Sequence, residues 1–397
     1  MLMTLDDFRS EVKQELFNIL DYWIKYAVEK NGDGFYGIVN ENNIPDEKAP
    51  KAIVITSRIL WTYSAAHQLF PNSSYPPVAK RAFDYLNKYF IDKEHGGVYW
   101  SVASDGSPLQ MKKQLYGHAF AVYGLAEYYK ITKDEAVLKL ATDIFSTMTE
   151  HSYDKINGGY IEAFERDWSN TDDYILSKFP SSKSMNTHLH LLEAFTNLYS
   201  VWKTDASKFH LKHAIEVMLN HIIGPGSYRM TLFFTEGWMR QSGIISYGHD
   251  IEASWLLYEA AEVLGDNELI AKCKDMSIKM AVAAADGLAE DGAINYEFNP
   301  TAHHLNEAKQ WWPQAEAMVG FLNAYQLMGK VNYLQKSQGV WEFIKKYLID
   351  HKNGEWCGVV DAAHKILDCD KVTFWKCPYH NSRSCMEVWR RLGKNHD

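Results

Sequence analysis

A histidine and a glutamate three residues apart, His249 and Glu252, stand in the first turn of SYGHDIEASWLLYEAAEVLG, residues 246–265. At about 100° per residue they fall on neighbouring edges of one helical face. Histidine, with an ordinary pKa near 6.5, takes or gives a proton close to neutrality, and a carboxylate beside it can orient it. The stretch therefore sets an acid–base pair at the mouth of a helix. Its apolar residues, among them Ile251, Trp255, Leu257 and Leu264, cover more than one face, so the helix should be buried nearly all round. Gly265 should stop it.

Relatives of this stretch recur. YGHAFAVYGLAEYY starts at Tyr116, NTHLHLLEAFTNLYS at Asn186 and WPQAEAMVGFLNAYQLMG at Trp312, with looser copies SRILWTYSAAHQLF at Ser57 and YHNSRSCMEVWRRLG at Tyr379. Taking one first-turn polar residue from each gives Arg58, His118, His190, His249, Gln314 and His380, spaced 59 to 72 residues apart. A second motif alternates with the first: DGFYGIVN, HGGVYW, NGGYIEAF, DGAINYEF and NGEWCGVV, each a glycine turn followed by an aromatic and β-branched run. Gly34, Gly96 and Gly158 are 62 apart, as are Gly292 and Gly354, and the copy near Gly226 is degenerate.

Length alone suggests roughly two or three domains, whereas six units of one design suggest one closed body spanning 1–397. Segments near 5–30, 78–91, 134–150, 205–222, 266–286 and 330–349 show three-to-four apolar spacing and read as outer helices. Each leads through a glycine hairpin to an inner helix, starting near 53, 116, 186, 247, 312 and 380. The fold class predicted is all-α: an (α/α)6 barrel of twelve helices in two concentric rings, with short β-hairpin loops. Residues 165–185 are the least regular and read as a loop over one mouth. Gly124 and Gly320, inside inner helices, read as points where neighbouring helices approach closely.

Composition narrows the function. No apolar run approaches the roughly 18 to 20 residues of a membrane helix, and the acidic, amphipathic N-terminal segment lacks a signal-peptide core. A cytoplasmic protein without a membrane partner is expected. A net charge of −9 and no long Lys/Arg cluster argue against nucleic acid. Five cysteines with no C-x-x-C pair suggest reduced thiols.

If the six inner helices run parallel, their first turns meet in one funnel. Its candidate lining is Arg58, Tyr116, His118, Asn186, His188, His190, His249, Glu252, Gln314, Glu316 and His380. A lone polar residue at a helix start commonly caps or bonds locally, and His118, His188 and Gln314 carry that reading. His190, His249 and His380, taken as equivalent repeat positions, point to a shared cavity. His188 and His190 lie about 200° apart on a helix, which makes them poor co-ligands, and no H-E-x-x-H or cysteine spacing supports zinc, so no metal is expected. Among the 13 Trp and 24 Tyr, most should fill the core, but Trp311, Trp312 and Trp375 stand beside the funnel. There Trp312 and Trp375 suit the mixed apolar and hydroxylated faces of a sugar.

The motifs SMNTHLHLLEAF, ISYGHDIEASWLL, WWPQAEAMVGF and FWKCPYHNSR resemble those of the N-acylglucosamine 2-epimerase superfamily over nearly the whole chain, and most closely its cellobiose-epimerising branch. The resemblance implies an (α/α)6 barrel that interconverts glucose and mannose configuration at C2 of the reducing residue of a β-1,4-linked disaccharide such as cellobiose or lactose, without metal or nicotinamide. It places catalytic histidines on His190, His249 and His380 and an essential arginine on Arg58. It places sugar contacts on Tyr116, Asn186, Glu252, Trp312 and Trp375, and it leaves 165–185 unmatched.

The chemistry also follows from the residues. An aldose C2 proton is removable only when C1 is an open aldehyde, so a site must open the ring, take the proton, hold an enediolate and return a proton to the other face. His380 and His249 read as the pair acting at C2, His190 as assisting at O1, Glu252 as orienting His249, and Arg58 as a fixed charge for the oxyanion. A monosaccharide-specific mannose or N-acylglucosamine epimerase is the nearest alternative. A glycoside hydrolase would instead use two carboxylates from Glu193, Glu252 and Glu316, about 5 to 9.5 Å apart, and would leave three histidines unexplained. A noncatalytic sugar-binding protein would leave them unexplained as well.

Overall fold

The computed structural model describes residues 3–172, 174–175 and 181–393. Among these are twelve α-helices: α1 (Leu5–Tyr26), α2 (Ile53–Leu69), α3 (Tyr75–Tyr85), α4 (Leu115–Thr132), α5 (Glu135–Ser152), α6 (Met185–Val201), α7 (Asp205–Val217), α8 (Tyr247–Leu264), α9 (Asn267–Ala284), α10 (Trp311–Met328), α11 (Val331–Phe343) and α12 (Tyr379–Gly393). The even-numbered helices pack in sequence order, α2 on α4 through to α10 on α12, and α12 packs on α2 to close the ring. Each of α3, α5, α7, α9 and α11 packs against the inner helix before it, and α1 packs on α12. This is an (α/α)6 barrel.

The two rings differ in pattern for a physical reason. Inner helices such as α4, LYGHAFAVYGLAEYYKIT, are buried on every side, whereas the outer α5 buries one stripe through Val137, Ala141, Ile144, Phe145 and Met148. Asp134 caps α5, Asp266 caps α9, and Thr204 with Ser207 forms a capping box on α7. Gly124 and Gly320 do lie at close helix approaches. A Cβ on Gly124 would stand 2.6 Å from the Ser57 carbonyl oxygen, and one on Gly320 would stand 2.7 Å from that of Ile251.

Each outer helix runs into a tight hairpin, closed by the bridges Val28–Phe35, Ile91–Val98, Tyr153–Tyr160, Ile223–Met230, Leu288–Ile294 and Ile349–Trp356. The copy near Gly226 keeps this geometry although its sequence has drifted. Two-residue strands at the front of inner helices join neighbouring repeats: Lys51–Ala52 pairs with Ser101–Val102, Lys113–Gln114 with Ala163–Phe164, Lys183–Ser184 with Phe233–Phe234. In several repeats the strand lysine is buried against the hairpin acid, as Lys113 with Asp92 at 2.8 Å and Lys183 with Asp154 at 2.7 Å. In the drifted repeat both are gone together, replaced by Ile245 and Gly224, so no buried charge is left unpaired.

Two expectations need correction. Cys357 and Cys369 form a disulfide, while Cys273, Cys377 and Cys385 are free. The paired strands Val359–Val360 and Ile366–Asp368 bring these two cysteines together, a tertiary proximity that spacing did not reveal. Within 165–185 the irregular stretch ends earlier than expected, since Lys183–Ser184 is a strand and Met185 opens α6, and 165–172 is a tight turn in which Phe164 bridges to Asn170 and Trp168 packs between His118 and His151. Residue 173 and residues 176–180 lie outside the described residues, and any substrate contact from them is left open. No helix among the described residues is long and apolar enough to cross a membrane.

Candidate active site

Position along each inner helix decides where a first-turn side chain goes. The fourth residues of α4, α6, α8 and α10 are His118, His188, Asp250 and Gln314, and all turn outward to the hairpin behind them. His118 Nδ1 meets the Gln114 carbonyl at 2.8 Å, and Nε2 accepts the Val98 N–H at 3.0 Å. His188 repeats this with the Ser184 carbonyl at 2.7 Å and the Tyr160 N–H at 3.0 Å. Asp250 accepts the Met230 N–H, and Gln314 the Ile294 N–H, each at 2.8 Å. Burial pushes both histidines down to about 3, which keeps Nε2 free to accept.

Residues two, three and six positions in point at the barrel axis instead, because 200° separates the fourth from the sixth. They are Tyr116, Asn186 and Trp312 at the second place, His249 at the third, and Arg58, His190, Glu252 and Glu316 at the sixth. His380 is second in α12. The set of six first-turn residues thus mixes second, third, fourth and sixth places, and His190, His249 and His380 are not equivalent: His190 sits about one turn deeper. Nor is Glu193 equivalent to Glu252 and Glu316, being the ninth residue of α6.

With the outward-turned His118, His188 and Gln314 set aside, nine of the ten remaining funnel and sugar-contact candidates line one cavity of about 450 Å³ at this mouth: Arg58, Tyr116, Asn186, His190, His249, Glu252, Trp312, Trp375 and His380. That volume lies within the roughly 300–1,000 Å³ of small-molecule sites. Glu316 is the exception, fully buried beneath His380 and holding its Nδ1 at 2.7 Å. His190 Nδ1 is held at 2.6 Å by Glu193, and His249 Nδ1 at 2.8 Å by the Ser246 hydroxyl. All three rings are therefore anchored through Nδ1, which leaves Nε2 for the cavity.

Glu252 does not orient His249. It receives Arg383 Nη2 at 2.6 Å and stands 4.0 Å from His380 Nδ1, while Ser246 does the orienting. The consequence is chemical, since a hydroxyl can donate or accept, so His249 can present Nε2 with or without its proton. Burial holds His249 down at about 3, and burial with Arg58 and Arg383 nearby holds His380 well below its usual range. Both are neutral imidazoles near pH 7.

Arg58 donates to the Tyr116 hydroxyl at 2.9 Å and to the Trp375 carbonyl at 3.4 Å, and its Nε is buried without a partner. Asn186 Oδ1 is likewise unpartnered. Both atoms suit a polar ligand. The Trp312 ring packs on His249 at 4.5 Å and on His380 at 5.8 Å. Trp375, 40% exposed at the rim, stands 5.8 Å from Trp100 and 6.0 Å from Tyr116. Trp311 also lines the cavity, with Tyr296, Gln310, Asp368 and Lys376, four residues that sequence reasoning missed because they come from loops and from strands at the mouth.

Arg383 was missed too. It bonds Glu193, Glu252 and Glu316 at once. The signal was available in PYHNSR, where it follows His380 by one helical turn. Trp255 is buried as core, but its indole N–H also donates to Glu316 at 3.1 Å. Among the described residues, His190/Glu193/Glu252 and Glu252/Glu316/His380 bring donor atoms within 4.8 Å of one another, close enough to hold a metal ion. The Arg383 guanidinium already supplies the cation between those carboxylates, so the donor set fits a divalent ion poorly. The same tether works against a hydrolase pair, since Glu193 and Glu316 do not face the cavity.

Fold and site together define an (α/α)6-barrel protein with a histidine-lined, aromatic-rimmed pocket for a small polar ligand. The chain belongs to the N-acylglucosamine 2-epimerase family, which matches residues 34–382. It is 43% identical to a cellobiose 2-epimerase of Bacteroides fragilis over 96% of this chain and 98% of that one. It is 39% identical to a cellobiose 2-epimerase of Ruminococcus albus over 96% and 98%. The structure of cellobiose 2-epimerase from Bacillus thermoamylovorans B4167 superposes with a TM-score of 0.93 at 34% identity, covering 97% of this chain and all of that one.

Proposed function

We propose that this protein, acting as one catalytic domain over 1–397, reversibly epimerises C2 of the reducing-end glucose of β-1,4-linked disaccharides, converting cellobiose to glucosyl-mannose and lactose to epilactose. The observation that carries this reading is that His249 and His380 both pack on Trp312 and line one cavity, each with Nδ1 held and Nε2 left for a ligand. His190, backed by Glu193, assists ring opening at O1. His380, with Nδ1–H donated to Glu316, has a lone pair on Nε2 to take the C2 proton, and Glu316 stabilises the imidazolium formed. His249, tuned by Ser246, returns a proton from the other side, and the two exchange roles in reverse. Arg58 holds a positive charge toward the enediolate oxygens.

Tyr116, Asn186 and Glu252 meet the reducing sugar, and Trp312 packs its apolar face. The exposed Trp375 at the rim provides a platform for a second sugar, which favours a disaccharide over a monosaccharide. Product formed from cellobiose in deuterated water should carry deuterium at C2 of the reducing residue with the glycosidic bond intact. Free glucose as the main product would establish hydrolysis instead. Activity should survive exhaustive chelation, and a stoichiometric metal whose removal abolishes turnover would overturn the site described.

A further inference from the structure

Arg383 is 1% exposed and makes no contact with the sugar cavity, yet it stands one carboxylate away from two of the three histidines. Its guanidinium bonds Glu193 and the Tyr379 hydroxyl through Nη1, and Glu252 and Glu316 through Nη2, the last two at 2.6 Å each. Glu193 holds His190 Nδ1 and Glu316 holds His380 Nδ1. Four inner helices, α6, α8, α10 and α12, are thus tied at one cation.

The same guanidinium is reachable from behind. A second cavity of about 280 Å³ opens among the C-terminal halves of inner helices, bordered by Gln68, Lys130, Ser200 and Arg390 at its mouth. Its inner wall includes Glu193, Arg383 and the stacked rings of Trp61 and Tyr123. The barrel therefore has a sugar-facing cavity in front, a septum of carboxylates on one arginine, and a solvent-sized space behind.

We propose that Arg383 is a positioning residue that fixes the tautomer and orientation of His380, and the orientation of His190, by holding Glu316 and Glu193 as ionised acceptors. This rests on the epimerase reading above. Three carboxylates share one buried space, and burial alone drives each toward its neutral form. The charge of Arg383 opposes that for all three: Glu193 ends below the usual carboxylate range, while Glu252 and Glu316 stay above theirs. Glu316 is nonetheless met by donors at both oxygens, Arg383 Nη2 and His380 Nδ1 at one and the Trp255 indole N–H at the other, the surroundings of an ionised acceptor. Without it Glu316 takes a proton and offers O–H to His380 Nδ1, which must then accept. The ring proton moves to Nε2, and the nitrogen facing the sugar is no longer a base. A lysine supplies the charge but not the planar fork that reaches three carboxylates.

Arg383→Ala and Arg383→Lys test this, with kcat and KM for cellobiose, thermal stability, and ¹⁵N shifts of the ring nitrogens assigned with His380→Asn. Both variants should show kcat at least about 10²-fold lower with KM within about threefold, since the residue touches no sugar. Guanidinium ion, at non-denaturing concentration, should restore kcat of Arg383→Ala saturably by about tenfold or more, and should do nothing for His380→Asn. The ring spectrum should show His380 protonated at Nδ1 in the unaltered protein, lose that signal in Arg383→Ala, and regain it with guanidinium. If Arg383→Ala does not fold, the kcat loss of Arg383→Lys at steady KM carries the test. Arg383→Lys with kcat within about threefold of the unaltered protein, or a His380 tautomer indifferent to Arg383, overturns the proposal. Failure of the unaltered protein to exchange the C2 proton would sink the epimerase reading while leaving the tautomer measurement to decide this one.

Discussion

His188 and His190 lie two residues apart on α6, both almost wholly buried and both displaced below the ordinary histidine range by burial, yet they face different structures. His188 is locked between two backbone groups of its own repeat, with both ring nitrogens occupied. His190 is held at one nitrogen by a carboxylate and faces a cavity with the other. His118 belongs with the first, His249 and His380 with the second. Burial and displaced pKa do not separate the hairpin histidines from those proposed for proton transfer. What sets the latter apart is a second nitrogen left free toward a cavity.

The largest expected effect is on the cavity side. His380→Asn and His249→Asn should each lower kcat by about 10² to 10⁴-fold while the protein stays folded by circular dichroism. If the two stand on opposite faces of C2, one variant should still exchange the C2 proton of one epimer without converting it. Near-normal turnover by His380→Asn would refute the pair.

A smaller effect tests the anchoring of one ring. Ser246→Ala removes the single Nδ1 partner of His249, and the loss of about 1–1.5 kcal/mol of orientation should lower kcat about tenfold. An unchanged kcat would show that packing on Trp312 alone holds the ring.

On the hairpin side the expected loss is in stability. His188→Asn shortens the side chain and leaves the buried Tyr160 N–H without its acceptor, which should cost about 1–3 kcal/mol in denaturant unfolding. Turnover per folded molecule should stay within a few-fold, and a severe kinetic loss would place His188 in the site after all.

The smallest change should come from His188→Gln, because Gln314 already performs the same task in another repeat. It should also flatten the acid side of the stability curve. His188 binds its proton near pH 6.5 when unfolded and near 3 when folded, so the unfolded chain gains protons first as pH falls. Stability is complete above about 6.5 and declines through that window by up to about 1.4 kcal/mol per pH unit for this group. Unfolding free energies measured from pH 7 to pH 4 should fall less steeply in His188→Gln, and an identical slope would mean that His188 is not held neutral.

Helix number, ring assignment and the alternation of hairpins were legible because each rests on local periodicity repeated six times. Arg58, His190, His249, His380, Trp312 and Trp375 could be named because their motifs are intact, and the opposed directions of His188 and His190 follow from 100° per residue. The degenerate hairpin near Gly226 shows the limit, since its backbone survives while the lysine–acid pair found in several of the others is absent.

What the tertiary structure alone decided is which partner each group meets. Glu252 is three residues from His249, yet it bonds an arginine 131 residues away, and His249 takes Ser246 instead. Glu316 on α10 reaches His380 on the neighbouring α12, and Arg383 gathers carboxylates from three helices. Local geometry fixes the direction in which a side chain leaves its own helix, so it can be read along the chain. Which group waits at the end of that direction depends on how six helices close around an axis, and only packing sets that.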